Sequence, residues 1–385
     1  MQAIHNYLDN NNLQTPCLVM DMDIVRNKYK EMSQTYKNVK IFYAVKANPE
    51  IEIIKTLHEM GCCFDVASIG EIDRVLDLGI PAEKLSYGNT IKKENEIAQA
   101  YKKGIKLYAF DSLEELEKIA RNAPNSDVFC RLLVNCNGAQ WPLSRKFGCE
   151  SHYAVDLMLK AKELGLNPVG ISLHIGSQQT NMQTWKEAMK YVRLTLDLIK
   201  EKGISLKIIN LGGGMCSQYE NPILSTQEYG KIVMDMAHNI FADTDIEFFI
   251  EPGRALVADA GIIETQVILT SYKTGQIHEP VRWVYIDCGI LNGLFEALGE
   301  AIRYRFDWKN KECETEPAIL AGPSCDSMDI MYEKNPIQLP KNLKSGDKLR
   351  ILSSGAYTTS YASIWFNGFE PIKTYIINKL YLKNV

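Results

Sequence analysis

The sequence predicts an α/β fold, a (β/α)8 barrel followed by a second, β-rich domain, and three observations carry that expectation. From about residue 41, short β-branched or aromatic runs alternate with longer charged segments of helical period. Eight such runs precede residue 262, and eight parallel βα units are the count that closes a barrel. Beyond about residue 262 strand-like text takes over and long helical stretches become scarce. At 385 residues the chain exceeds the length at which one hydrophobic core usually stops growing, which also favours two packed units. The expected division is a barrel over 22–262 and a β domain over 263–385, joined by about 1–21.

The eight runs, in order, are IFYAVKAN (41–48), CFDVAS (63–68), LSYGNT (85–90), LYAFDS (107–112), VFCRLLV (128–134), GISLHIGS (170–177), KIINLGGG (207–214) and EFFIEPGR (247–254). Text such as DSLEELEKIARNA between them has helical period. In the second domain ETQVILTSYKT, RWVYIDCG, KLRILSSGAYT and TYIINKLYL read as strands, and TPCLVMD near the N-terminus is a candidate strand donated to them.

A 46% hydrophobic, 23% charged chain of net charge -4 suggests neither disorder nor a polyanionic partner, so nucleic acid is not expected. No apolar run approaches the ~18 residues of a membrane span, and MQAIHNYLDNNNLQTP lacks the basic-then-apolar pattern of a signal peptide. Ten cysteines scattered without a metal-type pair of pairs fit a reducing cytoplasm and no metal.

In a βα barrel the reactive groups gather at the carboxyl ends of the strands. Here the first run ends in Lys46, the second carries Asp65, the sixth ends in His174 and Ser177, the seventh in Gly212, Gly213 and Gly214, and the eighth in Glu251 and Arg254. Core-filling residues before Lys46 should leave its amine partly desolvated, which suits a Schiff-base lysine; the alternative is a packed stem with a solvated head. The triglycine lets backbone N–H groups approach an anion, and Arg254 adds a bidentate phosphate partner, although three glycines can also be a plain tight turn. These groups together fit pyridoxal 5'-phosphate. Glu251 would hydrogen-bond its pyridine nitrogen and His174 would stack on its ring, against the alternatives of a simple Glu251–Arg254 pair and a structural histidine.

At these residues the sequence resembles the fold-type III, alanine-racemase-fold decarboxylases, the group of ornithine, lysine, arginine and diaminopimelate decarboxylases. The resemblance runs over nearly the whole chain through FYAVKAN, FDVASIGEI, RKFG, HIGSQ, LGGG, EPGR, GPSCDSMD, GAYT and FNGF, in the family's order. It implies that Lys46 is the Schiff-base lysine, His174 the stacking histidine and Glu251 the ring-nitrogen partner. Ser177, Gly212 to Gly214, Gly253, Arg254 and Tyr357 are then cofactor contacts, and Asp65, Glu71 and Arg131 support the lysine. It further implies a head-to-tail homodimer with composite active sites: Cys325 and Asp326 enter the partner's site, Cys325 protonating the substrate carbon and Asp326 meeting the distal amine. Lys146 and Asp329 match residues that pair across that interface. From the residues alone, Cys325 could equally be a structural thiol.

The substrate must be read at its far end. Asp326 and Glu300 offer carboxylates for a terminal ammonium or guanidinium, while Tyr357 and Phe366 match other substrate contacts. NGLFEALGEAIRYRF is most similar to the bacterial lysine/ornithine decarboxylases, which implies decarboxylation of lysine or ornithine to a diamine, a step of polyamine biosynthesis. Alternatively Glu300 is a helix charge paired with Arg303, and Arg303 could serve a diacid such as diaminopimelate. Arginine or a modified amino acid is a further substrate, and a non-catalytic regulator on the same fold is the reading from a different class.

Overall fold

The computed structural model describes residues 1–141, 146–274 and 280–379. Arg145 of the RKFG motif and the last residues of TYIINKLYL lie outside the described residues. The chain forms two compact units, one of residues 26–216 and 223–253, the other of residues 1–25, 217–222 and 254–385.

The first unit is a closed parallel barrel. Its strands are β1 (Val39–Ala44), β2 (Cys63–Val66), β3 (Leu85–Tyr87), β4 (Leu107–Phe110), β5 (Asp127–Arg131), β6 (Asn167–Ser172), β7 (Ile208–Asn210) and β8 (Glu247–Ile250). Each pairs with the next, and β8 closes on β1 through Phe248↔Val39 and Ile250↔Ile41. All eight runs read from the sequence form these strands, because burial on both faces rewards continuous apolar text. The helices between them bury one stripe each. In Met182–Glu201 the buried Trp185, Ala188, Met189, Val192, Leu196 and Ile199 recur at three- and four-residue intervals, and each large apolar side chain so buried contributes about 1.5–3 kcal/mol. Trp185 Nε1 donates to the Tyr229 hydroxyl at 2.7 Å, so the indole N–H is not left unpaired inside.

Caps fix where the helices begin. The Ser68 hydroxyl accepts the Glu71 N–H at the start of Ile69–Leu76, and Ser112 does the same for Glu115 before Leu113–Asn122. Removing either oxygen would cost about 1 kcal/mol.

The second unit is built on a curled β sheet. Its long strand β9 (Gly261–Thr274) pairs antiparallel with β10 (Pro280–Ile286) and with β12 (Lys348–Ile351), while β11 (Thr315–Ala321) runs parallel to β10. The N-terminal segment Cys17–Asp21 is a strand of this same sheet, antiparallel to β9 and parallel to Lys373–Ile377. Behind it, Ile4 and Leu8 of the helix Gln2–Asn10 pack on Cys17, Val19 and Ile262.

Two local expectations are corrected. The first run does not continue as a strand to Lys46: it stops at Ala44, and Val45–Ala47 is one 3-10 turn. The segment FEALGEAIRY is likewise a 3-10 turn over Phe295–Glu300, broken where Gly299 and Glu300 both take φ of 63°. A left-handed non-glycine residue there is held by contacts described below and not by helix propensity. Among the described residues no helix is long and apolar enough to cross a membrane.

Candidate active site

At the carboxyl end of β1 the turn lifts Lys46 out of the wall. Val45 and Ala47 are buried, whereas the Lys46 side chain is 45% exposed. Its Nζ lies 3.0 Å from Asp65 Oδ2 on β2. The Tyr43 hydroxyl donates to the Asn48 carbonyl at 2.8 Å and ties down the far side of the turn. Asp65 is buried, and its Oδ1 has no hydrogen-bond partner among the described residues. The missing contact is expensive for a buried carboxylate unless something else supplies it. Glu71, expected to support the lysine, accepts the Ala67 N–H at 2.7 Å through Oε2 and fixes the loop after β2.

Glu251 follows β8. Burial and the nearby Asp65 carboxylate push its carboxyl group well up from the usual range, and Lys46, Asn210 and Arg131 offset this only in part. Asn210, at the end of β7, donates its Nδ2 to Glu251 Oε1 and accepts the Gly212 N–H at 2.9 Å. Sequence reasoning passed over Asn210; an Asn between a strand and a glycine run is an Asx-turn signal that could have found it. His174 is held neutral by burial and by the Arg131 and Lys46 charges. Its Nδ1 accepts the Gly176 N–H at 3.0 Å, which places the ring proton on Nε2. Arg131 lies with its guanidinium 5.0 Å from the Phe147 ring centre, and Ser177 begins a short strand paired with Ala139–Trp141.

The triglycine is required by space. Gly212 takes φ +68°, and a Cβ on it would stand 2.2 Å from the Leu173 carbonyl. A Cβ on Gly213 would meet the Glu251 carbonyl at 2.9 Å and His174 Nε2 at 3.3 Å. The structure thus brings Lys46, Asp65, His174, Arg131, Glu251 and the glycine turn to one end of the barrel. An accessible amine over an unsatisfied buried carboxylate, a part-buried acid, a neutral flat imidazole and a turn stripped of side chains fit a phosphorylated, aromatic aldehyde.

In the second unit Arg254 is buried and clasped by Glu296, with Tyr357 nearby. Cys325 and Asp326 sit exposed on one loop, where Asn367 Nδ2 donates to Cys325 Sγ at 3.2 Å, and Phe366 is partly exposed beside that asparagine in the chain. Gly253 is buried in the EPGR turn. Glu300 is engaged on all sides: Oε1 accepts the Lys334 and Asn335 N–H groups, and Oε2 accepts Asn335 Nδ2 at 2.7 Å and Arg303 Nη1 at 3.1 Å. Arg303 also forks onto Glu220. Asp329, expected to pair with Lys146 of a second copy, is also engaged within its own chain. It is 2% exposed, and its two oxygens accept the Ile290 and Ser324 N–H groups at 2.8 and 3.1 Å, which makes it a loop anchor. Lys146 lies over the Phe147 ring.

Comparison with known proteins bears on this geometry. The sequence model of the family described as "Pyridoxal-dependent decarboxylase, pyridoxal binding domain" matches residues 22–258. The chain belongs to that family. It is 31% identical to the lysine/ornithine decarboxylase of Selenomonas ruminantium, over 94% of this chain and 90% of the relative. The lysine/ornithine decarboxylase of Vibrio vulnificus, solved with cadaverine, is 28% identical and superposes with a TM-score of 0.86 over 98% of both chains. The arginine decarboxylase of Paramecium bursaria Chlorella virus is 26% identical, with a TM-score of 0.87 over 98% of this chain and all of the other. The protein is a pyridoxal-phosphate-dependent amino acid decarboxylase on the alanine-racemase-like barrel with a C-terminal β domain, of the group that acts on basic amino acids.

Proposed function

We propose that the enzyme decarboxylates L-lysine or L-ornithine to the corresponding diamine, with Lys46 as the residue that bonds the cofactor. The observation that carries this is the Lys46 amine, accessible and 3.0 Å from the buried Asp65 beside Glu251 and His174. Bound pyridoxal phosphate supplies an aldehyde for the amine and a protonated ring that accepts the electron pair left when carbon dioxide departs.

The chain's own residues do the rest. Lys46 would hold the cofactor through its amine, and Asp65 keeps that lysine oriented. Glu251, positioned by Asn210, hydrogen-bonds the ring nitrogen and keeps a proton there. His174, neutral, would offer its flat face to the ring without adding a competing charge. Ser177, the N–H groups of Gly212 to Gly214, Gly253, Arg254 and Tyr357 hold the phosphate, and Arg131 supports the lysine. Cys325 returns a proton to the substrate carbon and Asp326 meets the distal amine, with Tyr357 and Phe366 lining the path. Their exposure on their own chain is what a residue handed to a second copy requires, which supports a head-to-tail homodimer. Glu300, its oxygens taken by Asn335, Lys334 and Arg303, has no acceptor left over for a substrate ammonium, which leaves that role to Asp326.

The same contacts weigh against a diacid. Arg303 would have to receive the second carboxylate of diaminopimelate, yet it is already clamped by Glu220 and Glu300. The test is a competition assay of the holoenzyme against lysine, ornithine, arginine and meso-diaminopimelate, read by mass spectrometry of products. Diamine from lysine or ornithine should dominate; lysine formed from diaminopimelate as the main product would overturn the substrate assignment.

A further inference from the structure

Arg254 is held by more than its backbone. Glu296, itself 3% exposed, takes the guanidinium as a fork, Nη1 to Oε2 at 2.7 Å and Nη2 to Oε1 at 2.6 Å. The Tyr219 hydroxyl accepts from Nη1 at 2.8 Å. The Tyr219 and Tyr357 rings lie 5.6 and 4.8 Å from the guanidinium carbon, and Tyr304 packs edge-on against Tyr219 at 5.4 Å. A long, four-torsion side chain is thereby fixed in plane and in rotation, since a two-bond fork leaves a guanidinium one orientation where a single contact leaves many.

Burying such a pair is seldom the cheapest way to stabilise a fold, because apolar residues of the same volume do as well or better. What the fork adds is a fixed plane and direction for the guanidinium as a whole. We propose that Glu296 is a positioning residue for cofactor capture: it presents the Arg254 guanidinium to the phosphate of pyridoxal phosphate. The inference rests on the assignment of Arg254 to that phosphate. Sequence reasoning missed Glu296, which lies 42 positions from its arginine.

The test separates phosphate recognition from folding. Full-length protein stripped of cofactor is titrated with pyridoxal phosphate and with pyridoxal, followed by absorbance, and the ratio of the two dissociation constants is the phosphate preference. In Glu296→Gln that preference should fall at least about tenfold, carried by weaker pyridoxal phosphate binding with pyridoxal unchanged; Glu296→Asp, which keeps the charge, should fall between. Should Glu296→Gln fail to fold, Glu296→Asp alone is read, and an undiminished preference counts against the proposal. A drop in melting temperature with the preference intact would show a merely structural pair, and a tightened preference would show that Glu296 competes with phosphate; either overturns the proposal. Arg254→Lys is the control. If it keeps the full preference, the phosphate assignment of Arg254 fails and the proposal with it; if it loses the preference while Glu296→Gln keeps it, only the role of Glu296 fails.

Discussion

Lys46, in the turn after β1, meets Asp65 of the neighbouring strand β2 at 3.0 Å, the lysine side chain 45% exposed and the aspartate side chain 4%. An ion pair with one member in solvent and the other buried is asymmetric: the carboxylate needs the amine more than the amine needs it. That leaves Lys46 held in place yet able to exchange its bond, which a cofactor lysine must do in each turnover.

Glu251 gives a pH signature in the cofactor-free protein. Its carboxyl group is raised in the fold from an ordinary value of 4.5 to about 7, so the folded state binds more protons than the unfolded one between those values, and stability falls as pH rises through that window. Glu251→Gln, which can still accept from Asn210, should therefore melt higher than the parent at pH 8, by on the order of 2 kcal/mol, with the difference gone near pH 4. Thermal melts across pH 4–8 measure this. In the loaded enzyme the same substitution should lower turnover, because glutamine holds no proton at the ring nitrogen.

The two glycines should separate by severity. Gly212→Ala places a Cβ against a backbone carbonyl and in a left-handed conformation, while Gly213→Ala meets one carbonyl and the end of a histidine. We expect Gly213→Ala to lose about 1–3 kcal/mol and Gly212→Ala to lose more. Denaturant melts give the order, and equal losses would contradict the steric account.

Mixed dimers test the shared site. Lys46→Ala and Cys325→Ala should each be nearly inactive alone, but co-expressed and co-purified they should recover about one quarter of parental turnover, since half of the dimers would carry one intact site of two. Activity no higher than the sum of the separate variants would place Cys325 in its own chain's site or outside the chemistry.

The barrel was legible because each strand is buried on both sides and so reads as one apolar, β-branched run. The strand-end residues Lys46, His174 and Glu251 were legible for the same reason, as ionisable groups ending such runs. Glu296 was not, since it matters through a partner 42 positions away and no local period encodes that pairing; for Asn210 the local text signals its turn with Gly212 but not its bond to Glu251, 41 positions on. The turn at 295–300 misled for a related cause: its text has helical propensity, but Asn335, Lys334 and Arg303 hold Glu300 in a left-handed conformation. Asp329 also anchors its own loop, where two backbone segments converge on one carboxylate, and no local period encodes that contact either.

The central assignment is tested most directly by reducing the holoenzyme with borohydride, digesting it, and locating the pyridoxyl mass by peptide sequencing. The account predicts a single labelled site, at Lys46, and no label in Lys46→Ala. Label on another lysine, or label that persists in Lys46→Ala, would contradict it.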